Sequence, residues 1–341
     1  MNLLEFTEKG IYCEKADLYI DPWQPVEKAI VTHGHSDHAR WGTKNYLCQK
    51  DSKEILKHRL GADISLQTLD YRQKININGV NFTLFPAGHI VGSAQILAES
   101  NGERWVVSGD YKLEQDPLTP TFEPVPCDVF VTESTFGLPV YSWKNPEDVY
   151  HEINQWWQEN RKEGLVSILT GYTLGKAQRL LHALDTSIGP VYLHGAIYNI
   201  NQILINQHLP LYDAPKVTSD HKKEDFKGAM ILAPPSAVGS PWIKKFIPYS
   251  IGTASGWMSL RGTRRRRSVD RGFVLSDHAD WKGLNNAIKA TGAQKIIITH
   301  GYRDVFCRWL NECGYDARVE DTLFEGELSE IGESTVEKEE V

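Results

Sequence analysis

The sequence predicts an α/β protein in two parts, a strand-rich first third followed by strands alternating with helices. Three observations carry this. Short apolar runs bounded by turn residues fill the chain up to Thr132. From Asn145 onward, capped helical stretches alternate with short apolar strands, the pattern of a parallel sheet with covering helices. The composition, 41% hydrophobic and 24% charged over 341 residues, suits a globular chain of roughly two domains.

Val26–Thr32 is a short apolar run that ends in a histidine-rich loop. Val80–Phe85 alternates and stops at Pro86-Ala-Gly88. Gln95–Glu99 and Trp105–Ser108, joined through Asn101-Gly102, form a predicted hairpin, and Val129–Thr132 is a further strand. Asn145 is a helix cap with Pro146 at the first helical position and Glu147 and Asp148 in the first turn; the helix should run to about Glu163. Leu165–Leu169, Val191–Leu193 and Gly228–Ala233 then read as strands, with helices over Gly175–Leu184 and Tyr198–Asn206. Strands at Phe273–Leu275 and Lys295–Thr299 and helices at Asp280–Ala290 and about Arg303–Cys313 close the chain.

Composition excludes several classes. No apolar run reaches the length of a membrane span. The start, Met1-Asn-Leu-Leu-Glu5, lacks the basic and apolar regions of a secretory signal. Five scattered cysteines without a CxxC pair read as reduced thiols and predict a cytoplasmic protein. Net charge is −7, yet residues 325–341 carry seven Glu and one Lys, a tail predicted to be disordered; the rest of the chain is close to neutral. Within it, residues 261–271 hold six arginines. Such a run is either a solvated loop or a phosphate-contacting surface, and the run alone does not choose.

The densest chemical signal is Thr32-His33-Gly34-His35-Ser36-Asp37-His38: three imidazoles and a carboxylate in six residues, directly after a strand. A loop lets such side chains converge, and nitrogen with carboxylate oxygen is a zinc-type donor set. His89, Asp110 and His300 each follow a strand beside a glycine. Singly, each is more often a satisfied polar residue at a strand end. Together the seven exceed what one structural zinc takes, and a bridged pair of ions would use them all.

HGHSDH at 33–38, His89 and Asp110 resemble the metallo-β-lactamase fold. Thr132-Glu133-Ser134-Thr135, Leu275-Ser-Asp-His278-Ala-Asp280 and Thr299-His300-Gly301 resemble motifs A, B and C of the β-CASP nucleases, and Thr173-Leu-Gly-Lys176-Ala-Gln178 resembles the start of their β-CASP helix. Ser255-Gly-Trp-Met258, the arginine run and Arg271–Trp281 resemble the bacterial DNA ligase-associated exonucleases. The resemblance covers about residues 10–320.

It implies an αββα sandwich from residues 1–143 and 272–324, with a β-CASP domain inserted at 144–271. It implies two divalent ions, zinc foremost and manganese second. His33, His35 and His89 would hold one, Asp37, His38 and His300 the other, with Asp110 bridging. A water between the ions would become the attacking hydroxide, His278 the general acid, and Glu133 the residue that orients it; Asp37 stands with these two as catalytic. Without the resemblance, His278 reads as a core histidine and Glu133 as a solvated carboxylate. Weaker candidates for substrate contact are Ser134, Lys176, Ser255, Gly256 and Arg264, Arg265, Arg266 and Arg267. Gly252–Gly256 could present backbone amides to a phosphate or form an ordinary turn, and Lys176 and Arg179 could face substrate or solvent.

The function implied is a metal-dependent DNA exonuclease in repair. Its substrate would be single-stranded or end-containing DNA, and it would act in functional association with a DNA ligase and helicase and away from membranes. Glu133 and His300 are, however, the pair typical of RNA-processing relatives, which makes an RNA nuclease the alternative. A small-molecule hydrolase of the same fold would need neither the arginine run nor the long insertion. A non-catalytic binding subunit would have lost ligands.

Overall fold

The computed structural model describes residues 2–260 and 269–324. Arg264 to Arg267 and the acidic tail lie outside the described residues. The chain is mixed α/β and divides into two compact units. One comprises Met1–Ser142 and His278–Glu327, the other Trp143–Asp277.

The first unit holds two sheets. Strands β1 (Glu5–Thr7), β2 (Gly10–Cys13), β3 (Leu18–Ile20), β4 (Lys28–Ile30), β5 (Asn45–Gln49) and β6 (Ser65–Leu69) lie side by side in that order. The second sheet takes β7 (Lys74–Ile77), β8 (Val80–Pro86), β9 (Ala94–Ser100), β10 (Glu103–Val107), β11 (Val129–Ser134), β17 (Lys295–Gly301) and β18 (Asp316–Val319), with β17 paired parallel to β11.

Two-residue periodicity assigns the faces. Val107, Val129, Val131 and Ile297 point inward onto Ile11, Ile20, Ile30 and Leu47 of the first sheet. Their neighbours Val106, Phe130, Ile296 and Ile298 point outward. There they pack on Leu284 and Ile288 of helix Trp281–Thr291 and on Phe306 and Leu310 of helix Arg303–Glu312. Helix α1 (Lys53–Leu60) covers the outer side of the first sheet through Leu56 and Leu60. No helix among the described residues is long and apolar enough to cross a membrane.

The second unit is built on a five-stranded sheet, all parallel, in the order β13 (Val191–Leu193), β14 (Met230–Ala233), β12 (Val166–Thr170), β15 (Tyr249–Ala254), β16 (Arg271–Phe273). Three helices, α2 (Pro146–Lys162), α3 (Lys176–Ala183) and α4 (Gly195–Asn206), contribute to the core on one face, where Trp157, Leu180 and Ile197 meet Leu169 and Leu232. Short 3-10 turns at Lys223–Phe226 and Pro241–Phe246 cover the other face through Phe226 and Phe246. The two helices that close the first unit are α5 (Trp281–Thr291) and α6 (Arg303–Glu312).

Arg271–Phe273 is a strand paired to β15, within the second unit, which runs to Asp277. One expectation is corrected: Gly252–Ala254 is not a loop but the end of β15. Glycine is needed there for packing, since a Cβ at Gly252 would lie 2.9 Å from the Phe273 ring and 3.0 Å from Trp156.

Candidate metal centre

Every residue of the candidate centre lies at the end of a strand of the first unit. The loop after β4 carries His33 to His38. Its geometry is set by Asp21, a buried carboxylate that accepts from the Thr32 N–H at 2.7 Å, from Thr32 Oγ1 at 2.5 Å and from His38 Nδ1 at 2.8 Å. On α1, Arg59 donates to the Gly34 carbonyl between His33 and His35. His89 follows β8, where the Ser93 hydroxyl accepts from the His89 and Ile90 N–H groups at 3.1 and 3.2 Å. Asp110 follows β10. His300 sits near the end of β17, whose turn is fixed by the Ser134 hydroxyl donating to the His300 carbonyl at 2.6 Å. Gly301 has φ +88 and comes so close to Ser134 that a Cβ would lie 2.2 Å from its backbone.

These loops bring the residues together. His33, His35, His89 and Asp110 can each offer a ligand atom within 4.8 Å of the others, as can His38, Asp110 and His300. The two groups share only Asp110, and its two oxygens divide between them. Oδ2 is 3.4 Å from His33 Nε2 and 3.8 Å from His89 Nε2. Oδ1 is 3.1 Å from His300 Nε2 and 3.6 Å from His38 Nε2. Asp37 Oδ2 stands 3.8 Å from His38 Nε2.

Hydrogen bonding selects the tautomers. Thr32 Oγ1 gives its proton to Asp21 and lies 3.0 Å from His33 Nδ1, so it accepts from that nitrogen. Thr299 Oγ1 gives its proton to the Thr132 carbonyl and accepts from His300 Nδ1 at 3.0 Å in the same way. Both rings are thus left with a bare Nε2. The Nε2 atoms of His33, His38 and His300 and Asp110 Oδ1 are buried without a hydrogen-bond partner among the described residues. Buried polar atoms in native folds are ordinarily satisfied. The bare nitrogens of His33 and His300 around a carboxylate fit divalent cations, and the Nδ1 partners are the support that metal-bound histidines use.

The electrostatics agree. Burial, with His38 second, pushes His33 down to about 3, so its imidazole is neutral. Burial, then His278 and His33, hold His89 well below its usual value. His38 goes the other way. Burial opposes its charge, but Asp110, Asp37 and Asp21 override this and push it up to about 10. Burial would raise Asp110, yet His38, His278 and His300 hold its carboxyl well below the usual range. Three buried carboxylates concentrate negative potential where the bare nitrogens point, a field suited to cations.

Beside this group, His278 Nδ1 lies 3.0 and 2.9 Å from the two oxygens of Glu133. Glu133 Oε1 also accepts from the Tyr111 N–H at 2.9 Å. Both residues are nearly inaccessible, Glu133 at 1% and His278 at 2% exposure, so Glu133 is not a solvated carboxylate. The His278 ring is 4.7 Å from the His89 ring.

The weaker candidates fall elsewhere. Ser134 is buried on the His300 carbonyl. Within the second unit, Lys176 and Arg179 are buried, not on a solvated face. Lys176 Nζ is 3.7 Å from Asp277, and Arg179 Nη1 donates to the Ser276 carbonyl at 2.7 Å and to Asp277 Oδ1 at 3.2 Å. Ser255 is buried and caps the turn at Gly256–Ser259 by accepting from the Trp257 N–H at 3.3 Å; Gly256 is buried with it. Sequence reasoning missed Asp21, Arg59 and Phe324. Phe324 stacks on the His38 ring at 4.2 Å and 13° and stands edge-on to His300 at 5.8 Å. None of the three shows the ligand-beside-glycine pattern that marks His89, Asp110 and His300.

No family model matches the chain. It is 28% identical over 315 residues to "Probable DNA ligase" of Opitutus terrae, covering 90% of this chain and 30% of that protein. It is 32% identical over 297 residues to "Endoribonuclease YSH1" of Kluyveromyces lactis, covering 69% of this chain and 38% of the relative. It is 25% identical over 165 residues to "Cleavage and polyadenylation specificity factor 73" of Drosophila melanogaster, covering 46% and 24%. The chain thus spans well under half the length of these curated relatives. A crystal structure of a protein of unknown function from Enterococcus faecalis V583 shares the fold at a TM-score of 0.62 with 13% identity, over 87% of this chain and 80% of that one. By these sequence likenesses the chain is a relative of the β-CASP nucleases of the metallo-β-lactamase fold, the group that its HGHSDH loop, Glu133, His278 and His300 resemble.

Proposed function

We propose that the chain is a metal-dependent phosphodiesterase that cleaves nucleic acid. The observation that carries this is the division of Asp110 between two histidine groups, Oδ2 toward His33 and His89 and Oδ1 toward His38 and His300. A carboxylate so placed suits a pair of cations, with zinc favoured by the nitrogen-rich donor set and manganese the alternative. Bound there, two cations supply charge neutralisation for the phosphate and a lowered pKa for water. His33, His35 and His89 would hold one, and Asp37, His38 and His300 the other. His278, aimed by Glu133, would deliver a proton to the leaving oxygen from its remaining ring nitrogen. The sheet-on-sheet core with helices outside supports the αββα sandwich reading. The second unit, running from Trp143 to Asp277 between Glu133 and His278, supports an inserted β-CASP domain.

For substrate we favour DNA, with exonucleolytic repair as the setting. The Ser255–Trp281 segment resembles the ligase-associated exonucleases, and a relative matched over 90% of this chain is named a probable DNA ligase. RNA is the second reading, favoured by Glu133 with His300 and by the relatives named endoribonucleases. End-labelled single-stranded DNA and RNA of one sequence, incubated with the purified chain and either metal, decide between them. DNA shortened from an end supports the first reading, and RNA cut in preference supports the second. Cleavage of neither, with both metals supplied, overturns the proposal.

A further inference from the structure

Trp41 is the most exposed of the large apolar side chains among the described residues, at 75%, and it lies three residues beyond His38. That spacing keeps its backbone within about 11 Å of His38. The ring is not on a loose loop. The buried Tyr46 hydroxyl donates to the Arg40 carbonyl at 2.7 Å and accepts from the Thr43 N–H at 3.1 Å, so one side chain brackets Trp41 on both sides. Gly42 completes the turn with φ +100, and a Cβ there would lie 2.9 Å from the Pro25 ring. The surroundings are polar. Arg40 donates through Nη2 to the Leu323 carbonyl at 3.2 Å, and Lys44, 71% exposed at its side chain, pairs with Glu27. A single indole on a polar turn does not make an apolar docking face. It has what an unpaired base needs, an exposed π-surface carried on a fixed turn.

We propose that Trp41 is a stacking platform for an unpaired base of the single-stranded nucleic acid whose backbone enters the candidate metal centre. This rests on the nuclease reading, and its test can fail independently of it. The affinity of the full chain and of W41A and W41F is measured by fluorescence anisotropy at fixed salt, with chelator present to prevent cleavage. The probes are a labelled single-stranded oligonucleotide and a labelled strand of the same length made wholly of abasic units. W41A should bind the base-bearing strand about 5- to 150-fold more weakly, the usual worth of one stacked base. W41F should recover most of the loss, and the abasic strand should not distinguish W41A from the parent chain. Equal binding of the base-bearing strand by W41A overturns the assignment and leaves a protein partner as the reading of the exposed ring. An equal loss on both strands overturns it as well, because the ring would then act through the fold or the backbone. Failure of the parent chain to hydrolyse any strand with metal added would instead remove the nuclease reading, whatever Trp41 does to binding.

Discussion

Replacing His278 by alanine separates proton transfer from metal binding. Its Nδ1 lies 2.9 and 3.0 Å from the Glu133 oxygens, and Asp110, Glu133 and His278 also come within 4.8 Å as a third group able to hold a cation. The side chain is therefore either a general acid or a ligand. As a general acid, its loss should lower the rate about 10²- to 10⁴-fold, or roughly 3–5 kcal/mol of transition-state stabilisation, with both metals retained. As a ligand, its loss should also lower metal content. Stability gives a second reading. His278→Ala leaves a buried Glu133 carboxylate with the Tyr111 N–H as the partner shown for it, and breaking a buried pair costs about 3–5 kcal/mol. In a unit of about 150–250 residues that lowers the metal-free melting temperature by roughly 6–20 °C. The double variant Glu133→Gln with His278→Ala removes the stranded charge and should regain most of the loss. The assays are elemental analysis, single-turnover cleavage and calorimetry with chelator. Loss of a metal ion from His278→Ala, or a rate within a few-fold of the parent's, would refute the general-acid assignment.

Asp110→Ala should abolish cleavage and lower metal content together, as elemental analysis beside the rate would show, because both histidine groups meet on that carboxylate. Asp21→Asn should weaken metal affinity at the His38 group about 10- to 100-fold in a chelator competition, since His38 loses its charged acceptor while the positive φ of 44° still suits Asn. Changing Arg264 to Arg267 to Ala should flatten the salt dependence of single-strand binding by about 0.7 in log–log slope per lost phosphate contact, and an unchanged slope would leave the run a solvated loop. Burial pushes the Cys48 and Cys127 thiols up to about 12, so both stay protonated and unreactive at pH 8, while exposed Cys313 reacts first with a disulfide reagent. The same raised values mean that the folded state keeps protons the unfolded chain releases. Stability toward urea should therefore fall as pH rises from about 9 toward 12.

What could be read from the sequence was decided by distance along the chain. His33, His35, Asp37 and His38 share one loop, and His89, Asp110 and His300 each announce themselves as a ligand-type residue at a strand end beside glycine. Asp21 does not, because its work is done on Thr32 and His38, 11 and 17 residues away and on a different turn. Phe324 carries no pattern at all, being one aromatic residue before an acidic run. Helix α2 was legible through Asn145, Pro146 and its acidic first turn. Strands β1 to β3, of three or four residues, fall below the length at which alternation can be seen. Gly252 misled because a glycine demanded by close packing in a parallel strand looks, in sequence, like one demanded by a turn.

The chain leaves the first unit after Ser142, shortly beyond Glu133, and returns at His278, so the paired residues stand at the two crossings of a sequence separation of 145. Closing so long a loop costs conformational entropy, and neighbouring contacts hold the pair in place. On the returning side, Ala279 N–H donates to the Tyr111 carbonyl at 2.7 Å and Trp281 N–H to the Tyr141 carbonyl at 3.2 Å, and Asp280 caps α5 by accepting from the Gly283 N–H at 2.7 Å. On the preceding side, Arg179 holds the Ser276 carbonyl and the Asp277 carboxylate, with Tyr150 accepting from its Nε at 2.8 Å. The His278 imidazole keeps one orientation because Glu133 takes Nδ1. Within the second unit, the bonds of Arg179 to Ser276, Asp277 and Tyr150 account for a buried guanidinium on α3.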